Sequence, residues 1–222
     1  AVMAALQKQA DSSAGIPLPV VYAQADTLFK YRQFAPSAAL LRQYIPDWNW
    51  TLTGPFFNES GSAFIEESGP EKVPFNSMDT FRCVRHDAVG WKRRLYYAPG
   101  ASVSFDILPS ASKKAAWFAN TFLTVPTSRR VHLRITRSEP MQIWLDDRLI
   151  FAQSRPLPAY LYESEIIELE LSAGTHRLLV KISEFPSEQT DSHIRLGFYD
   201  RGEWWGTSER RVSQSSSNDD DS

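Results

Sequence analysis

Two neighbouring aspartates, Asp146 and Asp147, lie in the stretch "MQIWLDDRLIFA" and could in principle do acid–base chemistry. Paired catalytic carboxylates need a fixed separation across a cleft, whereas neighbours on a turn point apart. The two aspartates lie between apolar runs at hairpin-loop spacing, and Asp tolerates the positive φ of such turns better than most residues. The sequence therefore predicts that Asp146 and Asp147 turn the chain, and that Leu149 and Phe151 enter the core on the far side of the turn.

Other patterns that could carry catalysis are weak. Cys83 lies near His86 and Asp87 in "DTFRCVRHD", but a lone cysteine is more commonly a buried small hydrophobe than a nucleophile. The sequence has no nucleophile elbow, P-loop or dinucleotide fingerprint. We therefore predict that the chain has no catalytic residue and is a non-catalytic module. Such a module could belong to a larger enzyme. An independent hydrolase stays open, because sequence patterns miss convergent sites.

The seven tryptophans are the strongest sign of a binding site. Trp204 and Trp205 follow the last predicted strand, between two glycines and beside charged residues. An exposed aromatic ring beside acidic and basic groups is a common platform for a sugar ring. The alternative is that both pack helices against a sheet or cover a sheet edge. Trp117 and Trp144 lie within strand runs and are predicted to be core or sheet-face residues. The predicted ligand-binding residues are Trp204, Trp205, Trp91, Trp50 and Asp200.

Composition and charge exclude several classes of partner. The chain has 222 residues, of which 42% are hydrophobic and 23% charged, and a net charge of −2. The chain lacks the excess of basic residues that would indicate binding to nucleic acid or to an anionic membrane. No apolar run approaches the roughly 20 residues that span a bilayer. The single cysteine excludes an internal disulfide and a Cys-based zinc site, and the four histidines lack metal-ligand spacing.

Alternating apolar residues predict antiparallel strands over most of the chain after Trp48. The runs are "SVSFDIL" (102–108), "WFANTFLTV" (117–125), "RVHLRIT" (130–136), "MQIWL" (141–145), "IIELEL" (166–171), "HRLLVKI" (176–182) and "HIRLGFY" (193–199). Seven or more such strands favour a β-sandwich or a barrel.

The segment before the strands has helical periodicity. Val21, Ala25, Leu28 and Phe29 share one helical face, and a second helix is predicted to begin at Pro36. We therefore predict a helical or irregular N-terminal extension at residues 1–47, a β-sandwich domain at 48–205 and a disordered polar tail at 206–222. No signal-peptide pattern follows Ala1, so we expect the N-terminus to be a processed boundary.

Four segments resemble, in order, the motifs of a group of bacterial accessory domains. They are "WTLTGPFFNESGSAF" (50–64), residues 117–151, "LSAGTHRLLVKIS" (171–183) and "HIRLGFYD" (193–200). Those domains look like galactose-binding-like jelly rolls, and some relatives are carbohydrate-binding modules. This chain departs from the pattern at two turns: Asp146-Asp147 replaces the usual Asn-Gly, and Thr175-His176 replaces the usual Asn.

The resemblance implies an antiparallel jelly-roll β-sandwich that binds carbohydrate without catalysis. We expect it to belong to a larger secreted or cell-surface protein and to neighbour other domains. Galactose-binding-like folds often hold a structural calcium, for which acidic loop residues could supply oxygens, although a plain solvated loop is the alternative. The runner-up function is a structural or protein-interaction domain with no sugar site. The candidate calcium residues are Glu66, Glu67, Glu71 and Asp79.

Overall fold

The computed structural model describes most of the predicted helices and strands. The described residues are 18–42, 48–58, 62–82, 88–90, 92–98, 102–104, 115–158, 161–183, 193–200, 203–204 and 207–208. The predictions that concern Cys83, His86, Trp91, Trp205 and most of the polar tail lie outside these residues.

In the part of the chain that the structure describes, two helices come first and strands follow. The helical pair consists of α1 (Leu18–Lys30) and α2 (Phe34–Arg42), and a 3-10 turn spans Ser62–Phe64. The strands are β1 (Trp48–Phe57), β2 (Thr80–Arg82), β3 (Ala88–Gly90), β4 (Lys92–Ala98), β5 (Ser102–Ser104), β6 (Ala115–Val125), β7 (Arg129–Arg137), β8 (Met141–Leu145), β9 (Arg148–Gln153), β10 (Glu163–Leu171), β11 (Gly174–Ser183), β12 (His193–Asp200), β13 (Glu203–Trp204) and β14 (Thr207–Ser208).

The helix α1 forms because one of its sides is apolar and buried. Val21, Ala25, Leu28 and Phe29 are each at most 6% exposed, which confirms the predicted face. The helix ends where Arg32 takes a positive φ of 58° and reverses the chain toward α2. Neither described helix is long and apolar enough to span a membrane.

The strands form two stacked antiparallel sheets, which confirms the predicted β-sandwich. The first sheet has the order β4-β1-β6-β11-β8-β9, and β14 also pairs with β6. The second sheet has the order β10-β7-β12-β13, and β5 also pairs with β12. Strands β2 and β3 form a small separate pair.

The inward-facing side chains of both sheets meet in one apolar core. Burying one large apolar side chain stabilises the fold by about 1.5–3 kcal/mol, so this layer drives the stacking of the sheets. Fully buried members from the two sheets include Val131, Leu133, Ile135, Leu178, Val180 and Ile182, each 0% exposed.

The outer face of the first sheet is also covered. A second apolar cluster on this face includes Phe56, Phe118 and Trp144. We call residues 62–79 the covering loop, because its backbone accepts hydrogen bonds from this face. Arg177 Nη1, for example, donates to the Val73 carbonyl at 2.8 Å. Trp117 and Trp144, predicted to be core or sheet-face residues, are both buried, since they are 2% and 9% exposed.

The prediction for one core residue is wrong. The sequence places Leu149 with Phe151 in the core, but Leu149 is 47% exposed whereas Phe151 is 8% exposed. The register between β8 and β9 shifts after Ile143, which pairs with Phe151, so that Trp144 pairs with Leu149. This bulge moves Leu149 to the outer face, because a shift of one residue reverses the side of the sheet.

The outer face of the second sheet holds the helical pair through one buried carboxylate. Asp26 of α1 is 5% exposed and forms ion pairs with Arg134 of β7 and Arg195 of β12. The hydroxyls of Thr136 and Ser164 lie 3.5 and 3.4 Å from its oxygens. Four polar groups from β7, β10 and β12 therefore converge on Asp26, and we call them the Asp26 cradle.

Arg195 also joins the two helices to each other. Its Nη1 donates to Ser37 Oγ of α2 at 2.9 Å, and that hydroxyl donates to the Ala25 carbonyl of α1 at 2.8 Å. The guanidinium lies over the Phe29 ring, 5.0 Å from the centroid, and Phe29 packs edge-on against Tyr162 at 4.7 Å. The helical pair is thus fixed to the second sheet by charge and by aromatic packing.

We predict that Asp26→Ala lowers the free energy of unfolding by about 3–5 kcal/mol, because two largely buried guanidinium groups lose their carboxylate. Urea denaturation monitored by tryptophan fluorescence measures the change. The control is Glu67→Ala, which breaks an ion pair with Lys72 whose side chains are 61% and 54% exposed. It should cost less than about 1 kcal/mol. Equal losses in the two variants would contradict the role assigned to Asp26.

Candidate functional site on the outer face of the second sheet

The aspartate pair forms the turn between β8 and β9, as predicted. Asp146 and Asp147 have φ values of 50° and 64°, and Leu145 pairs with Arg148 across the turn. Two successive positive φ values are typical of a type I′ hairpin turn, whose twist matches that of the strands.

Both aspartates also bind β11. Asp146 Oδ1 accepts the Arg177 backbone N–H at 2.9 Å, and Asp147 Oδ1 accepts Arg177 Nη1 at 2.6 Å. Asp146 Oδ2 lies 2.6 Å from His176 Nδ1, and His176 Nε2 lies 2.9 Å from the Ser172 carbonyl oxygen. An ionised carboxylate and a backbone carbonyl can only accept hydrogen bonds, so both ring nitrogens of His176 must donate. This geometry favours the imidazolium form, which carries a proton on each nitrogen. The pair therefore anchors the hairpin.

A different cluster of chemically versatile residues lies on the outer face of the second sheet. Backbone register aligns Glu168 of β10 with His132 of β7, His132 with Tyr199 of β12, and Tyr199 with Trp204 of β13. Directly paired residues of antiparallel strands occupy the same face of a sheet. These four positions therefore form one line across four strands, which we call the outer row.

The position of the row on the outer face follows from its neighbours. Leu133 and Phe198 flank His132 and Tyr199 in sequence and are 0% and 1% exposed in the core between the sheets. Because successive residues alternate between the faces of a strand, the row occupies the opposite face.

The acidic end of the row is open to solvent. The side chains of Glu168 and His132 are 54% and 40% exposed, and His132 Nε2 lies 3.8 Å from Glu168 Oε2. Arg130 is 63% exposed and contacts Glu168 at 3.3 Å and Glu170 at 3.1 Å. These carboxylate, imidazole and guanidinium groups can each form hydrogen bonds with a ligand hydroxyl.

The helical pair covers the neighbouring part of the same face. Backbone register pairs Thr136 with both Ser164 and Arg195, and Asp26 of α1 lies over this line of residues. His132 is four residues from Thr136 along β7, or roughly 13 Å in an extended strand. The outer row therefore lies beyond the residues that Asp26 contacts.

The predicted binding residues divide between different parts of the fold. Trp204 belongs to the outer row, and Asp200 pairs with Glu203 beside it. Trp50 is 0% exposed within the core, so its ring offers no face to a ligand. Trp91 and Trp205 lie outside the described residues.

Sequence reasoning missed Glu168, His132 and Tyr199 as members of a site. The alternation in "RVHLRIT" and "IIELEL" did place His132 and Glu168 on the wet face of their strands. It did not show that β7 lies between β10 and β12, and only this order aligns the residues.

Three of the four acidic loop residues proposed for calcium contact lysines. Lys181 Nζ donates to the Glu66 carbonyl at 2.6 Å and to Glu71 Oε1 at 3.2 Å, and Glu67 pairs with Lys72. Burial lowers the pKa of Lys181, while the charge of Glu71 opposes that change. Among the described residues, no group of three or more His, Cys, Asp or Glu side chains could hold a metal ion.

No family model and no curated protein sequence matches this chain. Similar solved structures include a family 35 carbohydrate binding module from an environmental isolate, which is 13% identical, with 43% of this chain and 71% of that chain covered and a TM-score of 0.30. An anti-sigma factor domain-containing protein from Clostridium clariflavum is 12% identical, with coverages of 74% and 46% and a TM-score of 0.35.

A third similar structure is the β-glucosidase from Kluyveromyces marxianus in complex with glucose. It is 15% identical, with 47% of this chain covered and a TM-score of 0.38, and the match spans only 14% of the β-glucosidase. These TM-scores lie below 0.5 and the identities below 25%, so the similarities assign no function to this chain.

We predict that the contribution of His176 to stability falls as the pH rises. Burial opposes the charged ring, but the hydrogen bonds to Asp146 and to the Ser172 carbonyl outweigh it and raise the pKa of His176 above its ordinary value of 6.5. A raised pKa in the folded state means that this stabilisation is complete below about pH 6.5 and is lost as the pH rises through the raised pKa. Urea denaturation at a series of pH values measures the loss.

The variant Asp146→Asn keeps a residue that tolerates positive φ and removes the charge beside the ring, so the pKa of His176 should fall. An NMR titration of the imidazole measures that pKa. Asp147→Asn is the matched control: it removes the charge that pairs with Arg177 but leaves the partner of His176 in place. An Asp146→Asn titration identical to that of the unmodified protein would refute the assignment.

Proposed function

We propose that this chain is a non-catalytic carbohydrate-binding module of the galactose-binding-like jelly-roll type, with its ligand lying along the outer row. The observation that supports this proposal is the register that aligns Glu168, His132, Tyr199 and Trp204 across four neighbouring strands.

The proposal assigns two different tasks to the two ends of the row. Tyr199 and Trp204 supply aromatic surface, on which the C–H face of a sugar ring stacks. Glu168 and His132 supply an acceptor and a second polar group for the hydroxyls at the ring edge. A sugar needs both kinds of contact, because stacking gives affinity and directed hydrogen bonds fix orientation.

Further contacts come from residues near the aromatic end. Asp200 and Trp205 are each adjacent in the chain to a member of the row, so we keep both in the proposed ligand set. Trp91 follows β3 and precedes β4 of the first sheet, and we keep it as a separate proposed contact. Trp50 is left out because it is fully buried.

The proposed module works outside the cell, attached to other domains of a larger protein. A binding surface without its own catalytic group is useful when it holds a neighbouring domain against a polysaccharide, because tethering raises the effective concentration of the substrate.

A protein-interaction domain is the second candidate, supported by the surface of the covering loop. Ile65 and Met78 are 85% and 81% exposed in that loop. Exposed apolar side chains of this size are common at protein contacts. Such a domain would associate with a protein partner and bind no sugar.

We predict that Trp204→Ala lowers affinity for glycan by about tenfold or more, since buried tryptophans at the centre of a contact carry much of the binding energy. Replacing Trp205 with Ala should have a similar effect if both rings stack on the ligand. A glycan array identifies the ligand, and calorimetry with the best oligosaccharide gives the affinities.

The matched control is Trp204→Phe, which keeps an aromatic face and should retain most of the binding. Circular dichroism and the thermal midpoint of each variant verify that the fold is intact. Unchanged affinity in both alanine variants would reject the outer row as the binding site. The absence of glycan binding by the unmodified chain would reject the carbohydrate function and favour the interaction domain.

A further inference from the structure

The exposed charges beside the outer row are predominantly negative. Arg130 is the partner of both Glu168 and Glu170, which are 54% and 78% exposed. One guanidinium therefore faces two carboxylates, and these three groups sum to a charge of 1 − 2 = −1. Any anionic group of a ligand near Glu168 or Glu170 would be repelled.

Two further arginines point away from solvent toward Asp26. Arg134 lies on the same face of β7 as His132 and only two residues from it, or roughly 7 Å along the strand. A long arginine side chain spans that distance, so Arg134 would bring a positive charge to the row if its guanidinium were not held by Asp26. It pairs instead with Asp26, and its side chain is 19% exposed.

Arg195 is held even more completely. Its side chain is 1% exposed, beneath the helical pair and over the ring of Phe29. With Asp26 included, the arginine–carboxylate pairs described on this face carry three positive charges (Arg130, Arg134 and Arg195) and three negative charges (Asp26, Glu168 and Glu170), so 3 − 3 = 0.

This balance depends on a residue that does not belong to the row. Without the carboxylate of Asp26 the same groups would sum to +1, and Arg134 would lose the partner that draws its guanidinium under the helix. The row would then attract a carboxylated sugar, because guanidinium groups bind carboxylates in a bidentate manner.

We infer that the outer row binds an uncharged glycan, and that Asp26 is a positioning residue that excludes acidic glycans by holding Arg134 out of the site. The inference rests on the carbohydrate function proposed above and adds the class of sugar and the residue that sets it. Asp26 acts through Arg134 and needs no contact with the ligand.

The test uses pairs of polysaccharides that differ only in charge. Each neutral polysaccharide, such as a β-glucan, a galactan or a mannan, is compared with its own C6-oxidised form, in which primary alcohols have become carboxylates. Affinity electrophoresis and calorimetry at low and at physiological ionic strength measure binding of the whole 222-residue chain. The unmodified protein should bind at least one neutral polymer and bind its oxidised form several times more weakly.

Two variants should reverse this preference. Asp26→Asn is close in shape to Asp26 and should raise affinity for the oxidised polymer by about three- to tenfold at low salt, with less effect at high salt. Because this change also weakens the attachment of the helices, Glu170→Lys provides an independent variant. Glu170 is 78% exposed, so its replacement by lysine changes the net charge beside the row by +2 without disturbing buried groups.

The matched control for Glu170→Lys is Glu67→Lys, which makes the same change in net charge in the covering loop. Glu67 is 61% exposed and also belongs to a surface ion pair. It should leave the preference unchanged, which separates a local effect from net charge.

Three outcomes would overturn the inference. If the unmodified protein binds the oxidised form as well as the neutral one, the class of sugar is wrong while the carbohydrate function stands. If Glu170→Lys and Glu67→Lys have equal effects, the preference does not arise at the outer row. If no polymer of any pair binds, the carbohydrate function fails and the inference fails with it.

Discussion

The carboxylate of Asp26 binds two guanidinium groups that the fold has removed from most of the solvent. An unpaired charge in such a place costs several kcal/mol, so the carboxylate and both arginines must remain together. Three strands of the second sheet and one helix supply the participating groups, so the constraint fixes how far the helical pair extends over the sheet. The position of the helical pair in turn determines which residues of the outer face remain accessible to a ligand.

The first sheet uses a similar device on its own outer face. Arg177 and Lys181 of β11 are buried, and they donate to backbone carbonyls of the covering loop. A loop without regular structure leaves many carbonyl oxygens unpaired, and buried cationic donors satisfy them. Both sheets are therefore covered on the outside by segments that buried cations attach. The two sheets differ in one respect. The helical pair covers only part of its sheet, so the end of the outer row that holds Glu168 and His132 stays exposed beside it.

The sequence predicts some features well because they depend on local spacing. The period-2 runs identify seven strands of the sandwich, and the helical face of Val21, Ala25, Leu28 and Phe29 is buried as expected. The turn at Asp146-Asp147 follows from its position between two apolar runs. Leu149 was misplaced because a bulge of one residue leaves no mark in the pattern of apolar residues.

The candidate site depends on information that local spacing does not contain. Glu168, His132 and Trp204 come from segments that are far apart in sequence, and the order of strands brings them into line. The same holds for Asp26, which is separated from Arg134 by more than 100 positions. A lone aspartate in an amphipathic helix looks like an ordinary surface residue until the partners on the sheet are known.

The measurement that addresses the outer row most directly is an NMR titration of the isotope-labelled chain with a neutral oligosaccharide. If the sugar binds along the outer row, the amide and aromatic signals of its residues should shift together and give the same dissociation constant. These residues are His132, Glu168, Tyr199 and Trp204. Signals of the covering loop on the opposite sheet should stay in place. Shifts confined to the covering loop, or signals of the outer row that do not respond while the sugar binds, would contradict this account.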